Sequence, residues 1–232
     1  MTHCKTRRFL LAFALLAFLS MPAYADLITF TTRPSFNAVA PGLPVETFES
    51  GLVSAGGVTT CNGPVSSAAG STCFPVGGLL PGVVYNASGS VQPNMVVLGA
   101  GFPGVGNTSK VLGPNSFADT LNITFTSANA FGVDLYPGPA GGNILVSVFD
   151  PGNALLGSFT VAAPAGSATF FGLISTTSGI GRVNVASQST APGELIDNLA
   201  FGTASPTTAV PEPASLILLA SGLALGLSRR KR

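Results

Sequence analysis

Charge and several reactive side chains are scarce in this sequence of 232 residues. Only 8% of the residues are charged and the formal net charge is +1. This composition excludes disorder driven by charge repulsion and the basic surface that nucleic-acid binding requires. Tryptophan is absent and histidine occurs once, as His3. Beyond His3 the chain therefore lacks the base that Ser-His and Cys-His catalysis use near neutral pH.

The few charges are unevenly distributed along the chain. Of the ten Lys and Arg residues, three lie in the first eight positions and four are the last four residues. Residues 26–210 hold three basic and eight acidic side chains, a formal charge of −5. Positive charge thus belongs to the two ends, and we expect the central region to be acidic.

The N-terminal end has the layout of a secretory signal peptide. A basic stretch at residues 5–8 precedes an apolar run at residues 9–19 and the small-residue triplet 23–25. The alternative is a retained membrane anchor, but that run is shorter than the roughly 20 residues needed to span a bilayer. We therefore expect residues 1–25 to direct export through the Sec machinery, with cleavage between Ala25 and Asp26.

The C-terminal end combines a proline motif, an apolar run and a basic tail. A Ser/Thr/Pro linker at residues 203–209 precedes a transmembrane helix predicted at about residues 214–227. At about 1.5 Å per residue this helix is shorter than the hydrocarbon core of a bilayer is thick. Basic side chains that extend toward the headgroups can make up the difference in length. The alternative, an amphipathic core helix, needs a polar face that the run lacks. The motif and the tail consist of Val210, Pro211, Glu212 and Pro213, and of Arg229, Arg230, Lys231 and Arg232.

These three C-terminal features together resemble the PEP-CTERM protein-sorting signal, over residues 210–232. The resemblance implies a precursor held in the inner membrane with its basic tail in the cytoplasm. It also implies processing at or near Pro211–Pro213 by an exosortase, a membrane-embedded cysteine protease. The processed product is then exported to the cell surface or to the exopolysaccharide matrix.

Residues 26–202 are predicted to form one all-β domain, a β-sandwich of jelly-roll-like type. Alternation of apolar and polar residues predicts half-buried strands, separated by Gly and Pro turn signals. Residues 150–153 predict a hairpin turn in which Pro151 fixes φ and Gly152 supplies a positive φ. Residues 51–116, rich in Gly, Ser, Pro and Asn, predict long surface loops, either passive or ligand-binding. The predicted strands are 121–125, 131–135, 144–148, 158–161, 180–185 and 196–201.

Two cysteines, Cys61 and Cys73, remain once the signal peptide is removed. An exported pair predicts one disulfide. It would close a loop of about 13 residues and stabilise the fold by roughly 3 kcal/mol in the chain-entropy model. The alternative, a zinc site, has too few ligands without a histidine.

Carboxylates are the remaining candidates for catalysis. Two acidic side chains can hydrolyse a glycosidic bond, but sugar clefts also use aromatic faces, and only Tyr85 and Tyr136 remain among the tyrosines of the central region. We therefore expect a non-catalytic surface or matrix protein. The alternatives are a carbohydrate-binding module that uses Tyr85 or Tyr136, and a carboxylate-based glycosidase. The acidic candidates are Glu46, Glu49, Asp134, Glu194 and Asp197.

Glu49 and Asp197 are also candidate ligands of a structural calcium ion. Residues 48–51 and 194–199 resemble the ends of carbohydrate-binding jelly rolls. In those domains the first and last strands pair, and a Glu and an Asp from them often hold calcium. Oxygen donors of this kind suit calcium. The alternative is a pair of solvated carboxylates at a sheet edge.

Overall fold

A computed structural model describes residues 27–116, 118–188 and 194–205. Within these ranges the chain forms one short helix, α1 (Arg33–Val39), and fourteen strands. The strands are β1 (Leu27–Phe30), β2 (Val45–Glu46), β3 (Val58–Cys61), β4 (Val65–Ser66), β5 (Val83–Ala87), β6 (Met95–Leu98), β7 (Val111–Pro114), β8 (Leu121–Phe125), β9 (Ala130–Tyr136), β10 (Gly142–Phe149), β11 (Leu155–Ala163), β12 (Thr169–Ser175), β13 (Arg182–Ser187) and β14 (Leu195–Gly202).

The strands form two antiparallel sheets that share one apolar core. Sheet A has the order β1-β12-β9-β14-β7-β6-β3, with β2 paired to β14, and sheet B has the order β11-β10-β13-β8-β5-β4. The core between them takes side chains from both sheets, such as Leu135 and Ile196 from sheet A and Ile123 and Val146 from sheet B. The prediction of an all-β sandwich is therefore confirmed.

Each of the six strands predicted from alternation has a counterpart, in β8, β9, β10, β11, β13 and β14. The prediction that residues 51–116 are only surface loops is wrong, because this segment contributes β3 to β7. Strands β6 and β7 are buried along their whole length. A strand that is covered on both faces has no polar alternation, so its period gives no signal.

The turn at residues 150–153 joins β10 to β11 as predicted, but the residue with positive φ is Asn153, not Gly152. Asn153 has φ 67°, in the left-handed region that Asn enters more easily than most residues. Its Oδ1 accepts hydrogen bonds from Nε (3.3 Å) and Nη2 (2.8 Å) of Arg182. The side chain of Asn153 thus also ties the hairpin to β13.

Cys61 and Cys73 form the predicted disulfide, with their Cα atoms 5.6 Å apart. Both residues are buried in the core between the sheets. The bridge joins the end of β3 to the irregular segment that precedes β5, a part of the chain with only the two-residue strand β4. It therefore fixes the segment that has the least regular hydrogen bonding.

Helix α1 covers part of the outer face of sheet A. Thr32 caps its N-terminus by accepting a hydrogen bond from the backbone N–H of Ser35 (3.4 Å), and Pro34 occupies the first turn. The fully buried Phe36 packs with Ala130, Ile174 and other residues of sheet A in a second, smaller apolar cluster. We did not predict this helix, which has seven residues.

Two hydrogen bonds hold the chain to the sandwich just after β14. Nδ2 of Asn129 donates to the carbonyl oxygen of Ala204 (2.9 Å), and the backbone N–H of Ala204 donates to Oδ1 of Asn129 (2.7 Å). The amide side chain therefore bonds to both backbone groups of one residue, as a neighbouring strand would. This pair of bonds fixes the chain inside the predicted linker, one residue before the described part ends at Ser205.

Among the described residues, no helix has the length and apolar character needed to cross a membrane. The predicted signal peptide (residues 1–25) and the predicted transmembrane helix (about residues 214–227) both lie outside the described residues. Both therefore stay predictions.

Candidate functional site

A polar cluster on the outer face of sheet A brings together two of the acidic candidates. Asp134 on β9 and Asp197 on β14 are direct cross-strand partners in the antiparallel pair. Their sequence neighbours Val133, Leu135 and Ile196 point into the core, so the period of two directs both carboxylates outward. We call Asp134, Asp197 and their hydrogen-bond partners Arg33, Ser109 and Asn198 the outer acidic cluster.

Both carboxylate oxygens of Asp134 have partners. Oδ1 lies 2.9 Å from Nη2 of Arg33, and Oδ2 accepts a hydrogen bond from Nδ2 of Asn198 (2.9 Å). Arg33 also donates to the carbonyl oxygen of Asn198 (2.8 Å), and its guanidinium lies 4.7 Å from the ring centre of Phe170. Asp134 therefore holds helix α1 to the sheet through Arg33.

Asp197 is fully buried, and its oxygens are also engaged. Oδ1 accepts from the backbone N–H of Asn198 (2.6 Å), and Oδ2 is in hydrogen-bond contact with Oγ of Ser109. Burial raises the pKa of Asp197 to about 6, and the Asp134 and Glu49 carboxylates add to the rise against the effect of those two hydrogen bonds. Asn198 has φ 49° at a register shift in β14, so a bulge shapes this site.

The two tyrosines do not form an exposed surface. Tyr85 is fully buried and packs edge-on against Phe48, with ring centres 5.4 Å apart. Tyr136 is only 6% exposed and packs with Leu98, Leu195 and other apolar side chains outside sheet A. Burial raises the pKa of both phenols, with a smaller contribution from Glu46 at Tyr85 and from Asp197 at Tyr136. The hypothesis that Tyr85 or Tyr136 stacks on a glycan is therefore wrong.

The three glutamate candidates each bind backbone N–H groups. Glu46 accepts from Phe48 (2.9 Å) and Leu80 (2.6 Å). Glu49 accepts from Lys110 (3.0 Å), and Glu194 accepts from Ser187 (2.8 Å). Such bonds satisfy backbone donors where the chain leaves a regular strand. Glu46 thereby joins the chain just after β2 to Leu80. Its burial together with two bonded N–H groups indicates a structural role.

Glu49 and Asp197, the calcium candidates, are joined through two adjacent residues. Ser109 contacts Asp197, and the backbone N–H of Lys110 donates to Glu49. The Lys110 ammonium binds the carbonyl oxygens of Glu49 (2.7 Å) and Gly51 (2.9 Å), which places a positive charge among the oxygens that calcium would use. This arrangement fits an internal polar network better than a calcium site.

Two further observations bear on the calcium hypothesis. In the described part of the chain, no three His, Cys, Asp or Glu side chains are grouped so that they could hold a metal ion. The last strand, β14, pairs with β2, which lies just before Glu49, whereas the first strand, β1, pairs with β12. The alternative of solvated carboxylates does not apply to Asp197, which is buried. Calcium binding stays a prediction.

An apolar pocket of about 250 Å³ is lined by several members of the apolar cluster that contains Tyr136, on the outer side of sheet A. Sequence analysis did not identify it, although the four consecutive apolar residues Met95–Leu98 give a signal for a strand buried on both faces. Among the described residues that line it, Asn115 and Glu194 have polar side chains and the others are apolar, so it suits an apolar group rather than a sugar. Its apolar lining includes Val58, Val96, Leu98, Phe102, Val105 and Leu195.

The predicted sorting and cleavage residues cannot be placed on this fold, because they lie outside the described residues. These are Ala25 and Asp26 at the N-terminal end, the motif at residues 210–213 and the basic tail at residues 229–232. The assignment of Ala25 and Asp26 rests on the sequence alone, whereas that of the motif and the tail is also addressed by the comparison that follows.

Comparison with known proteins identifies one feature of the chain. The family model of the PEP-CTERM protein-sorting motif matches residues 209–232. No curated protein and no solved structure matches the chain. The sorting signal was predicted at residues 210–232, and the match begins one residue earlier and ends at the same residue. The prediction of a PEP-CTERM signal is therefore confirmed. The motif supports a surface protein that is sorted and processed by an exosortase.

Proposed function

We propose that this chain, which carries the PEP-CTERM motif at residues 209–232, is a non-catalytic component of the cell surface or extracellular matrix. Residues 1–25 direct Sec-dependent export, and the apolar run at about residues 214–227 holds the precursor in the inner membrane. An exosortase cuts at or near Pro211–Pro213. The acidic β-sandwich is then released and associates with exopolysaccharide. The observation that carries this proposal is the motif match.

The partners of the acidic side chains support a non-catalytic role for the sandwich. A carboxylate pair that hydrolyses a glycoside needs one group free to donate a proton and another free to attack or to activate water. Asp134 is held by Arg33 and Asn198, and Asp197 is buried against Ser109. These contacts build the fold and leave no pair of acids facing an open cleft in the outer acidic cluster.

The order of elements also suits a protein that is released by a cut near its C-terminus. The last described strand ends at Gly202, and the Asn129–Ala204 bonds complete the domain two residues later. The matched motif begins at residue 209. A cut at Pro211–Pro213 therefore leaves every described strand of both sheets in the released product, together with the core between them.

The test is the mass of the protein recovered from cells that express the full-length chain together with an exosortase. We expect a species that begins at Asp26 and ends near residue 211. Replacing Pro211, Glu212 and Pro213 with alanine is expected to keep the longer precursor in the membrane fraction. A matched variant, Pro206→Ala, changes a proline of the linker outside the motif and is expected to be processed normally.

Two results would contradict the sorting proposal. One is release of the triple-alanine variant with the same C-terminus as the unchanged protein. The other is persistence of the unchanged full-length chain in membranes of cells that contain the active protease. Association with exopolysaccharide is tested separately, by asking whether the released sandwich sediments with polysaccharide purified from the same cells.

A further inference from the structure

Sheet B ends in an unusually long free edge. Strand β11 has nine residues, and its only strand partner is β10. Among the described residues, no backbone group on the other side of β11 has a partner from a further strand. A strand in this position presents a row of free N–H and C=O groups, which is the template for pairing with another strand.

From Gly157 onward, after a register shift at its start, this edge has neither charge nor proline, two features by which proteins commonly block such pairing. Residues 155–163 contain no charged side chain and no proline. Leu155 at its start is 58% exposed. The other three edges are short, with four residues in β1, four in β3 and two in β4. Charged side chains, proline and short length normally protect an edge, and β11 has none of these.

The side chains of β11 match a second copy of the same strand. Phe159 and Val161 pack toward the core, whereas Ser158, Thr160 and Ala162 are exposed on the outer face. If two copies pair antiparallel about Phe159, core-facing residues meet core-facing residues, and Ser158 lies opposite Thr160 of the other copy. Ser and Thr pairs across strands and aromatic pairs both stabilise a sheet.

We propose that β11 is a self-association surface, which pairs antiparallel with β11 of a second copy and joins the two six-stranded B sheets into one. The predicted mature domain is acidic, with a formal charge of −5, so two copies carry a net charge of the same sign. The uncharged edge is where that repulsion is weakest. Because this edge carries no charge, it cannot attract a charged partner by electrostatic complementarity.

The contact is small, because it consists of one pair of strands and their flanking side chains. Interfaces below about 1,200 Å² are usually weak and transient. The pairing is therefore expected to be reversible in solution and to increase where many copies are held close together. This inference does not depend on the proposed sorting route.

Cross-linking of introduced cysteines tests the pairing. Ser158→Cys and Thr160→Cys are made in separate full-length chains with Cys4→Ser, since Cys61 and Cys73 are already joined, and the two chains are mixed in equal amounts because Ser158 of one copy faces Thr160 of the other. Directly opposed Cβ atoms lie about 4.5–5.5 Å apart, so mild oxidation of the mixture is expected to give a disulfide-linked dimer that contains one chain of each kind. The matched control is Thr124→Cys, exposed on the interior strand β8 of the same sheet, which is expected to stay monomeric.

A charge placed on the edge provides a second arm. Thr160→Lys added to the Ser158→Cys chain and Ser158→Lys added to the Thr160→Cys chain place two lysines directly opposite each other, and together they are expected to reduce cross-linking of the mixture about tenfold or more. Val84→Lys adds the same charge to an exposed site on β5 and is expected to leave cross-linking unchanged. Thermal unfolding confirms that each variant is folded.

Three outcomes would overturn the proposal: equal dimer yields at Thr124 and on β11, cross-linking that persists with the two opposed lysines, or a cross-linked product that contains a different protein. The mass of the recovered chain in the same samples reports on exosortase processing. Failure of the pairing can thus be told apart from failure of the sorting proposal.

Discussion

Gly132 on β9 and Gly172 on β12 are direct cross-strand partners, and the ring of Phe36 lies against both. A Cβ atom added to Gly132 would lie 2.9 Å from Cε1 of Phe36, and one added to Gly172 would lie 2.8 Å from Cδ2 of the same ring. Helix α1 can therefore approach sheet A because two neighbouring strands lack side chains at this point.

Filling this space is expected to displace α1. We predict that Gly132→Val destabilises the domain by about 1–3 kcal/mol, because the β-branched side chain overlaps a ring that has no room to move. Urea unfolding measures the change. Gly152→Ala, in the β10–β11 turn, is the control and is expected to change the stability by less than about 0.5 kcal/mol.

A compensating change makes this prediction sharper. Phe36→Leu removes most of the overlapping ring, so it is expected to cost less in the Gly132→Val background than in the unchanged protein. Equal costs in the two backgrounds would show that Phe36 and Gly132 do not interact in the folded domain.

The buried carboxyl of Asp197 is expected to make stability depend on pH. Its pKa is about 6 in the folded state against an ordinary value of 3.8, so between about pH 4 and pH 6 the folded state holds a proton that the unfolded state has lost. Stability contributed by this group is therefore highest below pH 4, falls as the pH rises to about 6, and is constant above that. Arg33, Lys110, Asp134 and Glu49 are the charged groups around it.

Asp197→Asn tests this origin of the pH dependence. The amide can accept from the N–H of Asn198 and donate to Ser109 without carrying a charge. We expect the free energy of unfolding of the variant, relative to that of the unchanged protein, to increase by roughly 1–3 kcal/mol as the pH rises from 4 to 7. Urea unfolding at several pH values measures it. Ser109→Ala removes a bond that lowers the pKa, so it is expected to shift the transition to higher pH. Parallel stability curves for all three proteins would contradict the assignment.

The Cys61–Cys73 bridge is expected to stabilise the sandwich mainly by restricting the unfolded chain. Replacing both residues with alanine is predicted to cost about 3 kcal/mol, the value for a closed loop of this size. The measurement is thermal or urea unfolding with and without reductant. Reductant is expected to lower the stability of the unchanged protein and to leave the double variant unaffected. If reductant lowered the stability of both proteins equally, its effect would not come from reduction of the Cys61–Cys73 bridge.

Chelation is expected to leave the melting temperature unchanged. Lys110 holds the carbonyl oxygens beside Glu49, and Asp197 is bonded to Ser109 and Asn198, so the network is complete with protein groups alone. Differential scanning calorimetry with EDTA, with added calcium and with neither is the check. A fall of the melting temperature in EDTA that calcium restores would support the calcium hypothesis instead.

How much of the fold the sequence predicts depends on which faces of a strand are covered. Strands β8 and β10 have one face in the core and one exposed or half-buried face, so apolar and polar residues alternate and the strands could be predicted from the sequence. Strand β12 was missed because α1 and Arg33 cover its outer face and make Phe170 partly buried. A covering helix removes the polar alternation, and the helix itself gave only two short signals, a Thr cap and a proline.

The site was harder to predict than the fold. Asp134 and Asp197 are 63 positions apart in the chain, and only the pairing register of β9 with β14 makes them neighbours. That register includes a bulge at Asn198, which no local pattern indicates. By contrast, the sorting motif could be identified from sequence alone, because its information lies in a contiguous run of residues.

Strand β14 leads toward the proposed membrane tether, and it lies inside sheet A rather than at its edge. It is bonded to β9 on one side and to β7 and β2 on the other. Tension arriving from an anchored C-terminus must first break the two Asn129–Ala204 bonds and then slide this interior strand past its neighbours in shear. While the precursor is held at the membrane, the sandwich is thus connected to its anchor through an interior strand, which mechanical load cannot peel away one bond at a time as it could an edge strand.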